Sequence, residues 1–186
     1  MKNRNFFFVL TMSFLIIKTL SVNSINPDYS ENEDVLMSLL GMNYKSIQDR
    51  FEIAFSSNPE VIKEPVSDMV YGKYTLVRYL CETSDGMEGV SVSRYPDDFT
   101  QNHNESETVR GCIEGYEKGF GISVNSSDYT IDGKKGKLAK FTANGIYWVA
   151  GIVFKNGSLF QILMLKMDGY PSENEINIFI GTFKTF

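Results

Sequence analysis

The chain holds one imidazole, His103, and two thiols, Cys81 and Cys112. A thiol becomes a nucleophile only when a neighbouring base or positive field holds it as thiolate. His103 stands in the polar run Gln101-Asn102-His103-Asn104, which reads as a solvated turn rather than as a partner for either thiol. One His and two Cys are too few for a zinc or haem site, and no Asp-rich loop of calcium type appears. No metal and no other cofactor is expected. Asp97 and Asp98 follow Pro96 as adjacent carboxylates. General acid–base work needs two carboxyls facing each other across a substrate, in environments that separate their pKa values. Neighbours in a loop do not meet that need. Gly115-Tyr116-Glu117-Lys118-Gly119-Phe120-Gly121 is rich in glycine but wrongly spaced to cradle phosphate, and it reads as a helix end. A nucleophile elbow and a dinucleotide fingerprint are absent too. No catalytic residue is assigned.

What remains for ligand chemistry is aromatic. Tyr71, Tyr74, Tyr79, Tyr147 and Trp148 could line a pocket between sheet and helix, where rings with polar tips would hold a small apolar ligand. Ordinary core packing uses the same residues. Cys81 falls in a strand pattern and Cys112 on the apolar side of a helix pattern. If that helix packs over that strand, a disulfide between them is open; otherwise they are two buried small hydrophobes.

The first residues predict a destination. Lys2 and Arg4 precede an apolar run from Phe6 to Leu20, and Ser21-Val22-Asn23-Ser24 offers small residues before a cleavage point after Ser24. The run is interrupted by Thr11, Ser13 and Lys18 and is shorter than the ~20 apolar residues of a spanning helix. Residues 1–24 therefore read as a signal peptide, which implies a periplasmic or extracellular protein without stable membrane insertion. Loss of Lys2, Arg4 and Lys18 leaves 15 basic residues against 23 acidic ones, a net charge of −8. That sign disfavours nucleic acid and anionic membrane surfaces. The one basic cluster, Lys134, Lys135, Lys137 and Lys140, surrounds a glycine turn and reads as a solvated hairpin end. The triplets opening at Asn104, Asn125 and Asn156 match the glycosylation pattern; in a bacterial chain they are chance matches.

Elements follow from periodicity. Residues 25–45 read as a linker with a short accessory helix over Val35–Leu40, and residues 46–186 as a single domain. Phe51-Glu52-Ile53-Ala54-Phe55 alternates as a half-buried strand ended by Ser56-Ser57-Asn58-Pro59. Met69 to Glu82 and Met87 to Tyr95 are strands joined by a two-residue signal, Asp85-Gly86. Asn104 with Glu107 predicts a capped helix carrying Val109, Cys112, Ile113, Tyr116 and Phe120 on one face. Strands are expected over Gly121–Val124, Tyr129–Ile131, Lys137–Thr142, Ile146–Phe154 and Ser158–Met167. Asp132-Gly133, Asn144-Gly145 and Asn156-Gly157 accept positive φ cheaply and so predict tight antiparallel hairpins. Ile146–Phe154 is apolar on both alternating sets, which places it at the centre of a sheet covered on both faces. Ser172 with Glu175 opens a last amphipathic helix. The class is α+β: an antiparallel meander packed against amphipathic helices. About 140 residues suffice for a core that buries roughly two-thirds of the unfolded surface.

The opening Phe51–Phe55 strand with Asn58-Pro59, the Asp132-Gly133-Lys134-Lys135-Gly136-Lys137 turn, the Trp148 hairpin and the closing Phe179-Ile180-Gly181-Thr182-Phe183-Lys184 helix resemble the PsbP-like family, which includes envelope proteins of the DcrB type. The resemblance covers about residues 46–186 and rests on packing and turn motifs. It implies an antiparallel sheet between helical layers and a non-enzymatic accessory or binding role, and it transfers no ligand residue. The expectation is an exported, non-catalytic module of the cell envelope, bound to an envelope protein or a small apolar ligand. Two alternatives stay open: a hydrolase whose site converges from distant strands, and an inhibitor or adhesion module gripping another protein by hairpin tips or an edge strand.

Overall fold

The computed structural model describes residues 42–68, 72–96 and 104–186. The strands are β1 (Met42–Ser46), β2 (Phe51–Phe55), β3 (Glu60–Asp68), β4 (Gly72–Glu82), β5 (Gly86–Arg94), β6 (Asn125–Ile131), β7 (Lys134–Ala143), β8 (Ile146–Lys155), β9 (Ser158–Lys166) and β10 (Lys184–Thr185). Helix α1 (Glu105–Phe120) follows β5, and α2 (Glu173–Thr182) follows β9. Seven strands form an antiparallel sheet in the order β3-β4-β5-β9-β8-β7-β6; β1, β2 and β10 form a second, smaller one. The fold is α+β.

The hairpins follow their turn dipeptides. Asp132, Asn144 and Asn156 have φ of 48°, 54° and 52°, each followed by a glycine with φ above 70°, the two-residue turn that matches strand twist. Asp132 does more than turn. Its carboxylate accepts from Lys155 Nζ (2.6 Å) and from the Thr185 backbone N–H (2.9 Å), tying β10 to the large sheet. The basic cluster is a hairpin flank, three of whose four lysines pair with acids: Lys134 meets Glu105 at 3.8 Å, Lys137 meets Asp128 at 2.7 Å, and Lys140 reaches Glu173.

Strand β8 is central, between β7 and β9. Val149 and Val153 face a core completed by Phe51, Ile53 and Phe55 of β2 and by Ile176, Phe179 and Ile180 of α2. Trp148, Ala150, Ile152 and Phe154 face the opposite core, closed by Val109, Cys112, Ile113 and Tyr116 of α1. The sheet thus lies between α1 on one face and α2 with the small sheet on the other. Both helices are capped. Ser172 and Glu175 form the reciprocal box, whereas Asn104 caps α1 by accepting from Ser106 N at 2.9 Å, without a return bond from Glu107. Gly121 ends α1 in the left-handed region at φ 66°.

Several expectations are corrected. Residues 42–45, read from sequence as the end of a linker, belong with Ser46 to a strand paired with β2, where Tyr44 packs its ring on Phe51, Phe55 and Tyr79. The Val35–Leu40 helix lies outside the described residues. Glu60–Asp68, read as no element, is the edge strand β3; its charges and Pro65 mask the pattern and also guard the open edge. Gly121–Val124 is not a strand, since the glycine cap turns the chain there. Asp85-Gly86 is no two-residue turn: Glu82 pairs with Met87, and Thr83 N donates to Gly86 O at 3.1 Å across a longer loop. Glycine stands at 86 for another reason. A Cβ there would lie 1.8 Å from the Leu165 carbonyl oxygen.

Candidate functional site

The chain breaks out of β2 at Ser56-Ser57, and this exit faces the β4–β5 loop, the end of β9 and one side of α2. Between these four segments lies a cleft of about 480 Å³. Its apolar lining includes Phe55, Met164 and Phe179, all buried side chains of the core between the large sheet and α2. Its polar lining is charged: Glu82, Asp85, Glu88 and Glu175 against one cation, Lys166.

Strand parity carries the charged groups inward. Lys166 continues the inward set Phe160, Ile162, Met164 of β9, and Glu88 continues Val90 and Val92 of β5. Each stands where its strand leaves the core, so its side chain enters the cleft instead of the packed interior. Lys166 Nζ donates to Asp85 at 2.7 Å and to Glu175 at 2.5 Å. Burial works against its charge, but the hydrogen bonds to Asp85 and Glu175 outweigh it and hold Lys166 above the ordinary ammonium value. Burial likewise opposes the Glu175 charge, yet donation from Lys166 and from Ser172 at the helix cap keeps that carboxyl below its usual value. Lys166 is therefore a fixed cation and not a base at neutral pH.

Glu88 is held differently. Its Oε2 accepts from Ser56 N at 3.0 Å and from Ser56 Oγ at 2.5 Å, and it meets no cation among the described residues. Ser56 is thus a donor to a carboxylate, and among the described residues no imidazole or amine base lies beside it to activate it as a nucleophile. Cys81 Sγ, almost fully buried, lies 3.0 Å from Ser57 Oγ behind the same exit.

The structure scatters the aromatic candidates. Tyr71 lies outside the described residues, as do His103, Asp97 and Asp98. Tyr74 packs on Tyr95 (5.5 Å between ring centres) and Trp148 stacks on Phe141 (5.6 Å), both on the α1 side of the sheet. Tyr79 belongs to the opposite core, against Phe51. Tyr147 meets Tyr170 edge-on at 5.1 Å. Alternating residues of β4 and of β8 point to opposite faces, so Tyr74, Tyr79 and Trp148 cannot share one pocket. The same geometry separates the two thiols. Cys81 faces the α2 core and Cys112 the α1 core, the sheet stands between them, and both thiols are free.

Two buried polar clusters lie away from the cleft. In one, the fully buried Asp49 carboxylate accepts from Tyr79 Oη through one oxygen while the Arg94 guanidinium sits on the other; Ser46 Oγ is 2.8 Å from Tyr79 Oη. Burial, then the bond to Asp49, raises the Tyr79 phenol. In the other, Tyr116 Oη donates to Gln161 Oε1 at 2.5 Å above Cys112, whose thiol burial pushes up to about 12. A thiol so placed stays protonated. Among the described residues no group of His, Cys, Asp and Glu is arranged to hold a metal ion, and no helix is long and apolar enough to cross a membrane.

Glu88, Lys166, Asp85, Glu175, Ser56 and Ser57 were not singled out by sequence as a site. Asp85 read as a turn residue and Glu175 as a cap. The one signal available was phase: a charged residue at an inward position where an apolar strand ends.

No protein-family profile and no curated protein matches the chain. The solution structure of cyanobacterial PsbP from Synechocystis sp. PCC 6803 is similar in fold, with a TM-score of 0.47 and 12% identity over 78% of this chain and 92% of that one. Identity at that level carries over no residue role.

Proposed function

We propose that the chain is an exported, non-catalytic binding module of the cell envelope, and that it holds its ligand in the cleft between the Ser56-Ser57 exit, the β4–β5 loop and α2. One observation carries the reading. The cleft combines an apolar wall of Phe55, Met164 and Phe179 with a few polar groups fixed in place by their own hydrogen bonds, the usual make-up of a small-molecule site. The reading of residues 1–24 as a signal peptide supports export. The charge of Lys166, held between Asp85 and Glu175, supports binding over turnover.

The test is a protein-detected NMR screen of the purified chain against mixtures of small ligands, with generic ester and glycoside substrates assayed in parallel. Perturbations confined to residues 54–57, 82–88, 164–166, 175 and 178–182 are expected, without turnover. Turnover abolished by Ser56→Ala would overturn the reading, as would ligands that perturb only residues elsewhere. Export is checked by mass: the mature chain should begin at Ile25, and an exported chain retaining Met1 would contradict cleavage.

A further inference from the structure

Resting on that reading of the cleft, we infer that its ligand is an organic cation: an ammonium or guanidinium group carried on a short apolar stem.

The charge of the lining selects the head group. Glu82, Asp85, Glu88 and Glu175 stand against Lys166 alone, a net of −3. Lys166 cannot attract an anion, because it is already shared between Asp85 and Glu175. An anionic ligand would enter a concave, partly desolvated site against surplus charge of its own sign. Glu88 supplies the positive half of the argument. Ser56 binds Oε2 through two donors, which orients the carboxylate of this cleft-lining residue, and among the described residues Glu88 meets no cation. A wholly apolar ligand would use Phe55, Met164 and Phe179 but would strip water from Glu88 without replacing its hydrogen bonds. A cation on an apolar stem satisfies wall and carboxylate together. A free amine and the side chain of a basic peptide share this chemistry.

The test compares three probes of one length on the purified chain: hexylammonium, hexanol and hexanoate, followed by the amide signals of Ser56, Ser57, Glu88 and Lys166. Hexylammonium should bind about tenfold more tightly than hexanol, and added salt should weaken it. Glu88→Gln should reduce its affinity about fivefold or more, consistent with loss of a charge-assisted hydrogen bond. Should that variant fold poorly, Glu82→Gln, at an exposed position of the cleft lining, should still weaken hexylammonium in preference to hexanol. A short lysine peptide, compared with hexylammonium, separates the two sources of the head group. Hexanol or hexanoate binding the same amides as tightly as hexylammonium would overturn the cation inference while leaving the cleft as a site. If none of the three moves those amides, the cleft reading itself fails.

Discussion

Tyr79→Phe removes one hydroxyl, shared between Asp49 and Ser46, from the buried cluster that joins the two sheets. Tyr79 is 2% exposed and its ring packs on Phe51 at 4.9 Å and on Tyr44 at 5.5 Å, contacts that phenylalanine keeps. What is lost is the hydroxyl, which lies 2.8 Å from Ser46 Oγ and donates to Asp49, a carboxylate whose side chain is 0% exposed. The remaining partner, Arg94, is 43% exposed and already occupied on the other oxygen. Leaving a buried charged acceptor short of a donor costs about 2–3 kcal/mol. Asp49→Ala removes the carboxylate instead; Tyr79 then keeps Ser46 as a partner at 2.8 Å, and Arg94 turns to water. In the double variant the unpaired carboxylate no longer exists. Its cost should therefore fall short of the sum of the single costs by about 1–2 kcal/mol. Urea unfolding followed by the fluorescence of the single tryptophan, Trp148, reads this directly, with an unchanged denaturant slope marking a pure stability effect. Tyr79→Phe within ~0.5 kcal/mol of the parent, or strictly additive costs, would refute the view that this bond holds a buried charge.

Three further outcomes follow from the same geometry. Gly86→Ala should cost about 3 kcal/mol or more in urea unfolding, because the added Cβ meets backbone at 1.8 Å, while Gly151→Ala, whose Cβ meets movable Ile131 and Ile180 methyls at 3.1 Å, should cost clearly less; equal costs would contradict the packing. The Lys166–Glu175 pair should stabilise the fold across neutral pH. The depressed Glu175 carboxyl contributes above its unfolded pKa and loses that contribution as pH falls through its folded pKa. The raised Lys166 contributes below its unfolded pKa and loses that as pH rises through its folded one. Glu175→Gln should flatten the acid limb of the stability profile, and an unchanged limb would argue against the pair. Native Cys81 and Cys112 should resist a thiol reagent and react together only on unfolding, since both are buried and Cys112 is held protonated; an oxidised pair in the native chain would contradict their placement on opposite faces.

Local chemistry made the second half of the chain readable. Asp132-Gly133, Asn144-Gly145 and Asn156-Gly157 each fix a turn within two residues, and the double-sided apolarity of Ile146–Phe154 marks a central strand without knowledge of its neighbours. Where a residue's meaning depends on a distant segment, the sequence is silent. Nothing in Cys81 or Cys112 tells that a sheet separates them. The Ser56-Ser57-Asn58-Pro59 break shows that β2 ends, but not that Ser56 orients a carboxylate 32 residues on. Strand β3 hides because an edge strand tolerates charge and proline where a central one does not. The cleft is the extreme case: Ser56, Asp85, Lys166 and Glu175 come from four elements, and each alone has an ordinary structural reading.

A crystal structure of the chain grown with hexylammonium tests the central claim most directly. The account predicts the ammonium within hydrogen-bond distance of Glu88 and the alkyl stem against Phe55 and Phe179. Hexylammonium bound elsewhere on the molecule, with the cleft holding only water, would contradict it.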